Sequence, residues 1–562
     1  ALQYASVEGE EFLSTVVAEL LGVDDLELEE RFAELDRVHR LVVTLGEEEL
    51  PDGSLATRYR FAHALYQNVL YADLVTKRRA LLHRHAGEQL VRHYAGQATR
   101  IAAQLAMHFE RGRDFPRALE YVTHAGDNAL RVYANREAAE HYGHAIRLVE
   151  RLPEEEQAAR SLTLYEKRGA VNRALGRFGE SVEDFTEMLE RARSLGSPAQ
   201  ESAALNALTM TLFYSHRLDE ITARADEILR AAERAGSDAL RIEAMQVLAL
   251  KHLGYGELAE ARPMLDEIIR CARSLNHKRV LLAGLAWRGI LHFFQTEYAA
   301  AEEMIIEARG LAAELRDSFL LLEGYFVLGM VYGNQGRMSE ALATFREGIE
   351  TAARYGDEFW APRIPNCIGW LYRELQDFER ALEYDQRGLD TGRRHGVLEA
   401  QANSLINLGT VYSHRGEGEK TAAAFREAEG IFGRDAWFKW RYNIRLQAGA
   451  CEHRLKRGDL ARAEEHARGL LEIATRYEAR KYVAVAHELL ARIAVARGDR
   501  AAAQAELDAA LAHLETHPVP VVSWKVHAAL GRLRASAGEP TGAREGFARA
   551  VEVVNTIAAN VD

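Results

Sequence analysis

From residue 162 onward, apolar positions fall at helical spacing in blocks separated by short turn phrases, and one phrase returns every 40 residues. It reads small or polar, aromatic or Leu, two variable residues, then Ala. Its anchors are Phe178, Leu218, Leu258, Tyr298, Met338 and Phe378; further steps reach Glu419 after one extra residue, then Leu460, Arg500 and Pro540. A period of this length predicts stacked helical hairpins, not one globular core. The Ala of each phrase, as in Ala341, Ala381, Ala463 and Ala503, marks the place where two helix backbones nearly touch. A large side chain there would overpack the hairpin.

The turns Gly333-Asn334-Gln335-Gly336-Arg337 and Tyr412-Ser413-His414-Arg415-Gly416-Glu417 are tetratricopeptide-like. Their glycines relax the turn and let the helices approach. With two irregular hairpins before residue 162, the expected fold is all-α: a tetratricopeptide-like right-handed superhelix of about 12 hairpins, its concave surface lined by the first helix of each. The first 95 residues break the rhythm. They predict helices over 12–21 and 26–38, a β-rich run at 41–45, a turn-rich stretch at 46–54 and a returning strand at 59–61. Helices over 63–70 and 75–91 complete a winged-helix-like unit. The expected domains are therefore 1–95 winged-helix-like, 96–160 junction and 161–562 solenoid.

Composition narrows the class. The 562 residues are 48% hydrophobic and 28% charged with only 10 Pro, as a helix-rich protein requires. The net charge of −13 argues against a general nucleic-acid coat. Lys77-Arg78-Arg79 with Arg84 is a short basic run inside acidic surroundings, read as a solvated face or an interdomain contact, so nucleic acid is not the expected partner. Cys271, Cys367 and Cys451 show no metal-ligand spacing, and so few cysteines point to a reducing compartment. No apolar run approaches 18 residues, so no membrane association and a cytoplasmic location are expected. His141 with His144 lacks the acidic partner of a metalloprotease motif, and no metal site is expected. No phosphate-cradling Gly-x-x-x-x-Gly-Lys-Ser/Thr loop occurs, so an enzyme, and ATP hydrolysis in particular, is not expected. Ala1 to Ala5 reads as the middle of a helix, the expectation for a piece of a longer protein.

Three segments carry a resemblance: Ser6-Val7-Glu8-Gly9-Glu10-Glu11-Phe12, Tyr59-Arg60-Phe61-Ala62-His63-Ala64-Leu65-Tyr66-Gln67-Asn68-Val69-Leu70-Tyr71, and Lys77-Arg78-Arg79-Ala80-Leu81-Leu82-His83. They resemble the part that follows the nucleotide-binding module in bacterial STAND-type signalling ATPases, among them regulators resembling the maltose-regulon activator and cyclase- or kinase-linked ATPases. The resemblance implies a winged helix and superhelix acting as a non-catalytic sensor arm. It would bind a protein or small effector and relay it to an upstream nucleotide-binding domain, with homo-oligomer formation on activation. It also implies that His63 touches the β-phosphate of ADP held by that domain. Imidazole can donate to phosphate, and a helix amino terminus favours the anion. ADP or ATP is thus implied for the full-length protein and no cofactor for this chain. Ala64 departs from the family pattern, which often has an acidic residue there. The alternatives are a DNA-binding transcriptional regulator using the winged helix and a plain protein-assembly adaptor.

Candidate ligand-binding residues are Asn366, Trp370, Asn403, Asn407, Trp437, Trp440, Arg441 and Asn443, on or beside first helices. Asn inside a long helix is not chosen for propensity, and aromatic and Arg side chains are the usual anchors of a binding surface. Asn403 and Asn407 lie one turn apart and read as groove residues. Trp287 and Trp370 read as core between hairpins. Two stretches break the repeat. Phe359-Trp360-Ala361-Pro362-Arg363-Ile364-Pro365-Asn366 should bend or delay a first helix. Trp437-Phe438-Lys439-Trp440-Arg441-Tyr442 is either an exposed knob or a packed junction. Glu417 to Lys420 and Arg434-Asp435 read as solvated turns.

Overall fold

The computed structural model describes residues 1–433 and 437–561. The chain divides into two compact units, 1–171 with 190–196, and 172–189 with 197–562. The Arg434-Asp435 turn lies outside the described residues.

The first unit contains α1 (Leu2–Glu8), β1 (Glu11–Leu13), α2 (Ser14–Leu21), α3 (Asp25–Arg37), β2 (Val42–Glu49), β3 (Leu55–Phe61), α4 (Ala64–Ala72) and α5 (Thr76–Tyr94). A 3-10 turn (Ala95–Ile101), α6 (Ala102–Arg111), α7 (Phe115–Arg131), α8 (Asn135–Val149) and most of α9 (Glu154–Leu175) follow. The strands form an antiparallel sheet in the order β1-β3-β2. The expected hairpin is there, but the helix expected over 12–21 starts only at Ser14. Residues Glu11–Leu13 are a third strand, with Phe12 opposite Tyr59. Helical spacing of apolar residues could not reveal this, because the strand exists only through its partner. Phe12, Phe32, Tyr59 and Phe61 pack as one aromatic cluster that joins the sheet to α3. The basic run on α5 is partly committed to this unit: Arg78 donates to the Tyr4 hydroxyl at 2.6 Å and Arg79 lies over the Tyr71 ring. His83 and His108 are both buried and face each other at 3.1 Å.

The second unit takes in most of α10 (Phe178–Ser194), α11 (Pro198–Tyr214), α12 (Leu218–Ala235), α13 (Asp238–Tyr255), α14 (Leu258–Ser274), α15 (Lys278–Phe294), α16 (Tyr298–Leu315), α17 (Ser318–Asn334) and α18 (Met338–Tyr355). It continues with α19 (Arg363–Glu374), α20 (Phe378–Arg394), α21 (Leu398–His414), α22 (Gly418–Phe432), α23 (Lys439–Lys456) and α24 (Leu460–Arg476). The last four are α25 (Arg480–Arg497), α26 (Arg500–Thr516), α27 (Pro520–Ser536) and α28 (Pro540–Ala558). This is an all-α solenoid in which neighbouring helices pack as in a tetratricopeptide superhelix. Nearly every anchor of the 40-residue phrase is the first residue of a second helix. The exception corrects the expected register: α22 begins at Gly418, so the rhythm runs unbroken to that point and the extra residues fall between Gly418 and Leu460. Ala341, Ala381, Ala463 and Ala503 are fully buried, as their position requires.

The turn inside each hairpin needs one residue with positive φ. Gly176, Gly256, Gly336, Gly416, Gly458, Gly498 and Gly538 take that role, and His216, Thr296 and Gln376 hold the same conformation in the same series. Positive φ, more than close helix approach, is therefore why glycine recurs. The delayed helix is α19, only 12 residues long. Before it, Asp357 Oδ1 accepts the amides of Phe359, Trp360 and Ala361 and holds the break in a tight turn.

The stack also closes on itself. The Glu358 amide donates to the Leu175 carbonyl, Phe438 to Gly254, and the Arg480 guanidinium to Gln295. The last pair is 185 residues apart, between four and five repeats. Hairpins of successive superhelical turns are thus in contact. Among the described residues, no helix is long and apolar enough to cross a membrane.

The turn series yields a test with two signs. Gly416 has no neighbour within 4 Å of where a Cβ would lie, so Gly416→Ala isolates backbone strain. It should cost about 1 kcal/mol, and Gln376→Gly should stabilise by up to about 1 kcal/mol. Urea midpoints moving in opposite directions are the expected outcome.

Candidate functional site

The closure of the second unit encloses a cavity of about 120 Å³. Its wall comes from α11, α15, α17, α19, α21, α23, α25 and the segments preceding α19, α23 and α25. Five of the six tryptophans of the chain line it: Trp287, Trp360, Trp370, Trp437 and Trp440. Both breaks in the repeat therefore supply wall, because a segment released from a first helix can lay its rings across neighbouring ones. Phe359 to Trp360 meets Phe319 and Phe326. The second break is a packed junction, not an exposed knob: Trp437, Phe438, Trp440 and Tyr442 are all buried. Trp437 stacks on His216 with ring centroids 4.0 Å apart, and Trp440 stacks on Tyr477 at 4.5 Å.

Charged groups are threaded through this aromatic wall. Glu399 accepts Arg363 Nε at 2.7 Å and Arg441 Nη2 at 3.2 Å. Burial works against its charge, but Arg363 and Arg441 outweigh that and hold the carboxyl below its ordinary range. Lys481 donates to Asn334 Oδ1 at 2.7 Å, its own amide donates to Thr296 Oγ1 at 2.9 Å, and its ammonium lies 5.2 Å from the Trp370 ring centroid. Arg445 is held by the side-chain oxygens of Asn403 and Asn407. Glu323 accepts the Tyr214 hydroxyl at 3.3 Å, and burial pushes its carboxyl up to about 8. At neutral pH it is predominantly the uncharged acid.

Of the residues singled out from sequence, Asn366, Trp370, Asn403, Trp437, Trp440 and Arg441 meet on this wall. Asn407 does not. Its amide nitrogen is spent on the Asn366 carbonyl at 2.9 Å and Asp385 Oδ1 at 2.7 Å, so it positions Arg445 from behind. Asn443 is half-buried and also away from the cavity. Trp287 and Trp370 are buried between hairpins as read from sequence, yet each also contributes wall. Glu323, Glu399 and Arg445 went unrecognised. A signal existed for Glu323: it is the one charged residue in the otherwise uncharged helix α17.

In the first unit, His63 caps the start of α4, and the Leu65 amide donates to its Nδ1 at 3.1 Å. The ring is exposed. Because Nδ1 is the acceptor, the proton of the neutral imidazole sits on Nε2. Among the described residues, no group of three or more His, Cys, Asp or Glu could hold a metal ion.

The tetratricopeptide repeat family model matches residues 322–355. No curated protein matches. Among solved structures, a Rap protein complexed with competence and sporulation factor is similar at 16% identity and TM-score 0.50, covering 64% of this chain and all of that one. The Rap conjugation gene regulator of plasmid pLS20 in complex with the Phr* peptide is similar at 15% identity and TM-score 0.44, covering 64% and 96%. The Cut9–Hcn1 hetero-tetramer of APC/C is similar at 13% identity and TM-score 0.42, covering 89% and 96%. The family-model match and the likeness to the first of these structures show the fold alone, that of a tetratricopeptide-repeat solenoid.

Glu323 makes the cavity sensitive to pH in a definite direction. As pH rises from 4.5 to about 8 the unfolded chain loses this proton while the folded one keeps it, so stability falls across that window. Glu323→Gln mimics the neutral acid. It should flatten the decline in the urea midpoint across that window and raise stability at its upper end by on the order of a few kcal/mol.

Proposed function

We propose that this chain is a non-catalytic binding scaffold that takes up an effector inside its repeat superhelix and answers by holding its turns more tightly. One observation carries the reading. The cavity wall is assembled from helices of successive superhelical turns, joined by the contacts of Phe438 with Gly254 and of Lys481 with Thr296. A ligand that touches both sides must prefer the closed arrangement, and the preference becomes a change in the surface offered to a protein partner. The fold supports the scaffold part: the Rap protein of similar architecture is complexed with competence and sporulation factor.

A second reading is favoured by the place of His63. As the sensor arm of a STAND-type ATPase, the chain would offer the Nε2–H of an exposed imidazole at a helix amino terminus to the phosphate of ADP held upstream. In a polypeptide that includes a nucleotide-binding module ahead of Ala1, His63→Ala should then speed ADP release several-fold. Unchanged retention would leave the plain adaptor.

The scaffold reading is tested at Gly256. A side chain there would run into Tyr477 and Trp440, at 2.6 and 2.8 Å from its first carbon. Gly256→Leu is expected to wedge the turns apart, raise the radius of gyration in small-angle scattering and reduce capture of the chain's partner from its own cell extract. Capture indifferent to a demonstrably opened superhelix sinks the reading.

A further inference from the structure

A second cavity, of about 350 Å³, adjoins the aromatic one and shares Trp370, Arg445, Lys481 and Tyr482 with it. Its wall has the opposite character. Seven Lys and Arg side chains face three carboxylates, Glu374, Glu452 and Glu488, in a chain whose net charge is −13. Those carboxylates are already engaged: Glu374 by Arg373 at 2.9 Å and Lys525 at 3.0 Å, and Glu452 and Glu488 by Arg492 at 3.8 and 3.6 Å. Arg445, Lys456, Lys481 and Arg532 form no ion pair among the described residues. Lys456 and Arg532 are exposed and solvated, whereas Arg445 and Lys481 are half-buried at the shared wall.

Cations withdrawn from water without a counter-charge are costly, and proteins normally pair them. Burial pulls both Lys481 and Arg445 below their ordinary ranges, as expected for charges that are not fully compensated. On the aromatic side, the indole nitrogens of Trp287 and Trp360 and the amide nitrogen of Asn366 are buried donors with no hydrogen-bond partner among the described residues. The aromatic cavity, at about 120 Å³, is close to the roughly 150 Å³ that accommodates benzene in an apolar protein interior.

We propose that the two cavities form one site for a small aromatic anion, its ring among the tryptophans and its anionic group at Arg445 and Lys481. The ring would gain stacking and burial, and the anion would supply the direct ion pair those two cations lack, Lys481 sensing Glu374 only from beyond ion-pair distance. A neutral ring would leave both cations without a direct ion pair. An extended peptide exceeds the aromatic cavity. The proposal rests on the reading of the superhelix interior as the effector site and names the chemistry of that effector.

The test titrates the whole chain with phenylacetate, phenyl phosphate and the neutral isostere phenylacetamide, read by calorimetry and by tryptophan fluorescence. At least one anion should bind at least tenfold more tightly than the amide and quench the fluorescence; which one binds identifies the head group. Lys481→Met, checked for an unchanged circular-dichroism spectrum, should erase the preference. The comparison of anion with amide on the unmodified chain stands even if that variant does not fold. Equal binding of anion and amide, or no binding of any of the three, overturns the anion site. If Gly256→Leu still loses its partner in that case, the scaffold reading survives; capture indifferent to the wedge sinks the scaffold reading whatever the probes do.

Discussion

Aromatic residues pressed against bare glycine backbone are what allow the second unit to close. Gly256 lies under Trp440 and Tyr477, and Gly176 lies under Phe359, each close enough that a Cβ would meet a heavy atom below 3.0 Å. These glycines serve two ends at once. Their positive φ turns one hairpin, and their missing side chain admits the rings of Trp440 and Tyr477 at Gly256 and the backbone and Cβ of Phe359 at Gly176. Without that approach the rings of α23 and the segment before α19 would face water, and the cavity would have no far wall.

Closure brings a second consequence, because it buries charge. Arg363 is almost completely buried and survives there by stacking on Phe359 and donating to Glu399 and the Phe359 carbonyl. Arg441 reaches the same carboxylate from another hairpin. Such pairs contribute little net stability compared with apolar packing, but removing one partner leaves the other stranded. They are better understood as fixing which hairpins meet. Asp385 makes the same point inside one hairpin. It stands in the register of Phe345 and Phe425, facing Gly369 as those rings face Gly329 and Gly409. Burial pushes its carboxyl well above the ordinary range, and its remaining role is to accept from Asn407, which in turn holds Arg445. A polar relay thus replaces a phenyl ring beneath the cavity wall.

Much of this was legible from local pattern. The 40-residue rhythm located the starts of the second helices, and the buried Ala of each hairpin followed from the same phrase, because both depend only on packing between neighbours in sequence. The hairpin β2–β3 and the helix start at His63 were visible for the same reason. The third strand was not, since Glu11–Leu13 is a strand only by pairing with β3. The two irregular stretches were recognisable as exceptions, and their rings do meet in one place. What could not be read was that each packs on a hairpin some 180 residues earlier, Phe359 on Phe178 and Phe438 on Gly254.

By itself, then, the sequence determined a helical repeat stack, its register and the residues that break it, because hairpin geometry is settled by side chains within one or two repeats. Only the tertiary structure decided which faces of the stack are interior. That choice depends on the pitch of the superhelix, a small rotation per hairpin accumulated over between four and five repeats until Phe438 reaches Gly254. Asn407 was turned inward to a buried carboxylate, Glu323 was made neutral, and Arg445 and Lys481 were set at the junction of two cavities by that accumulated rotation, which no single phrase encodes.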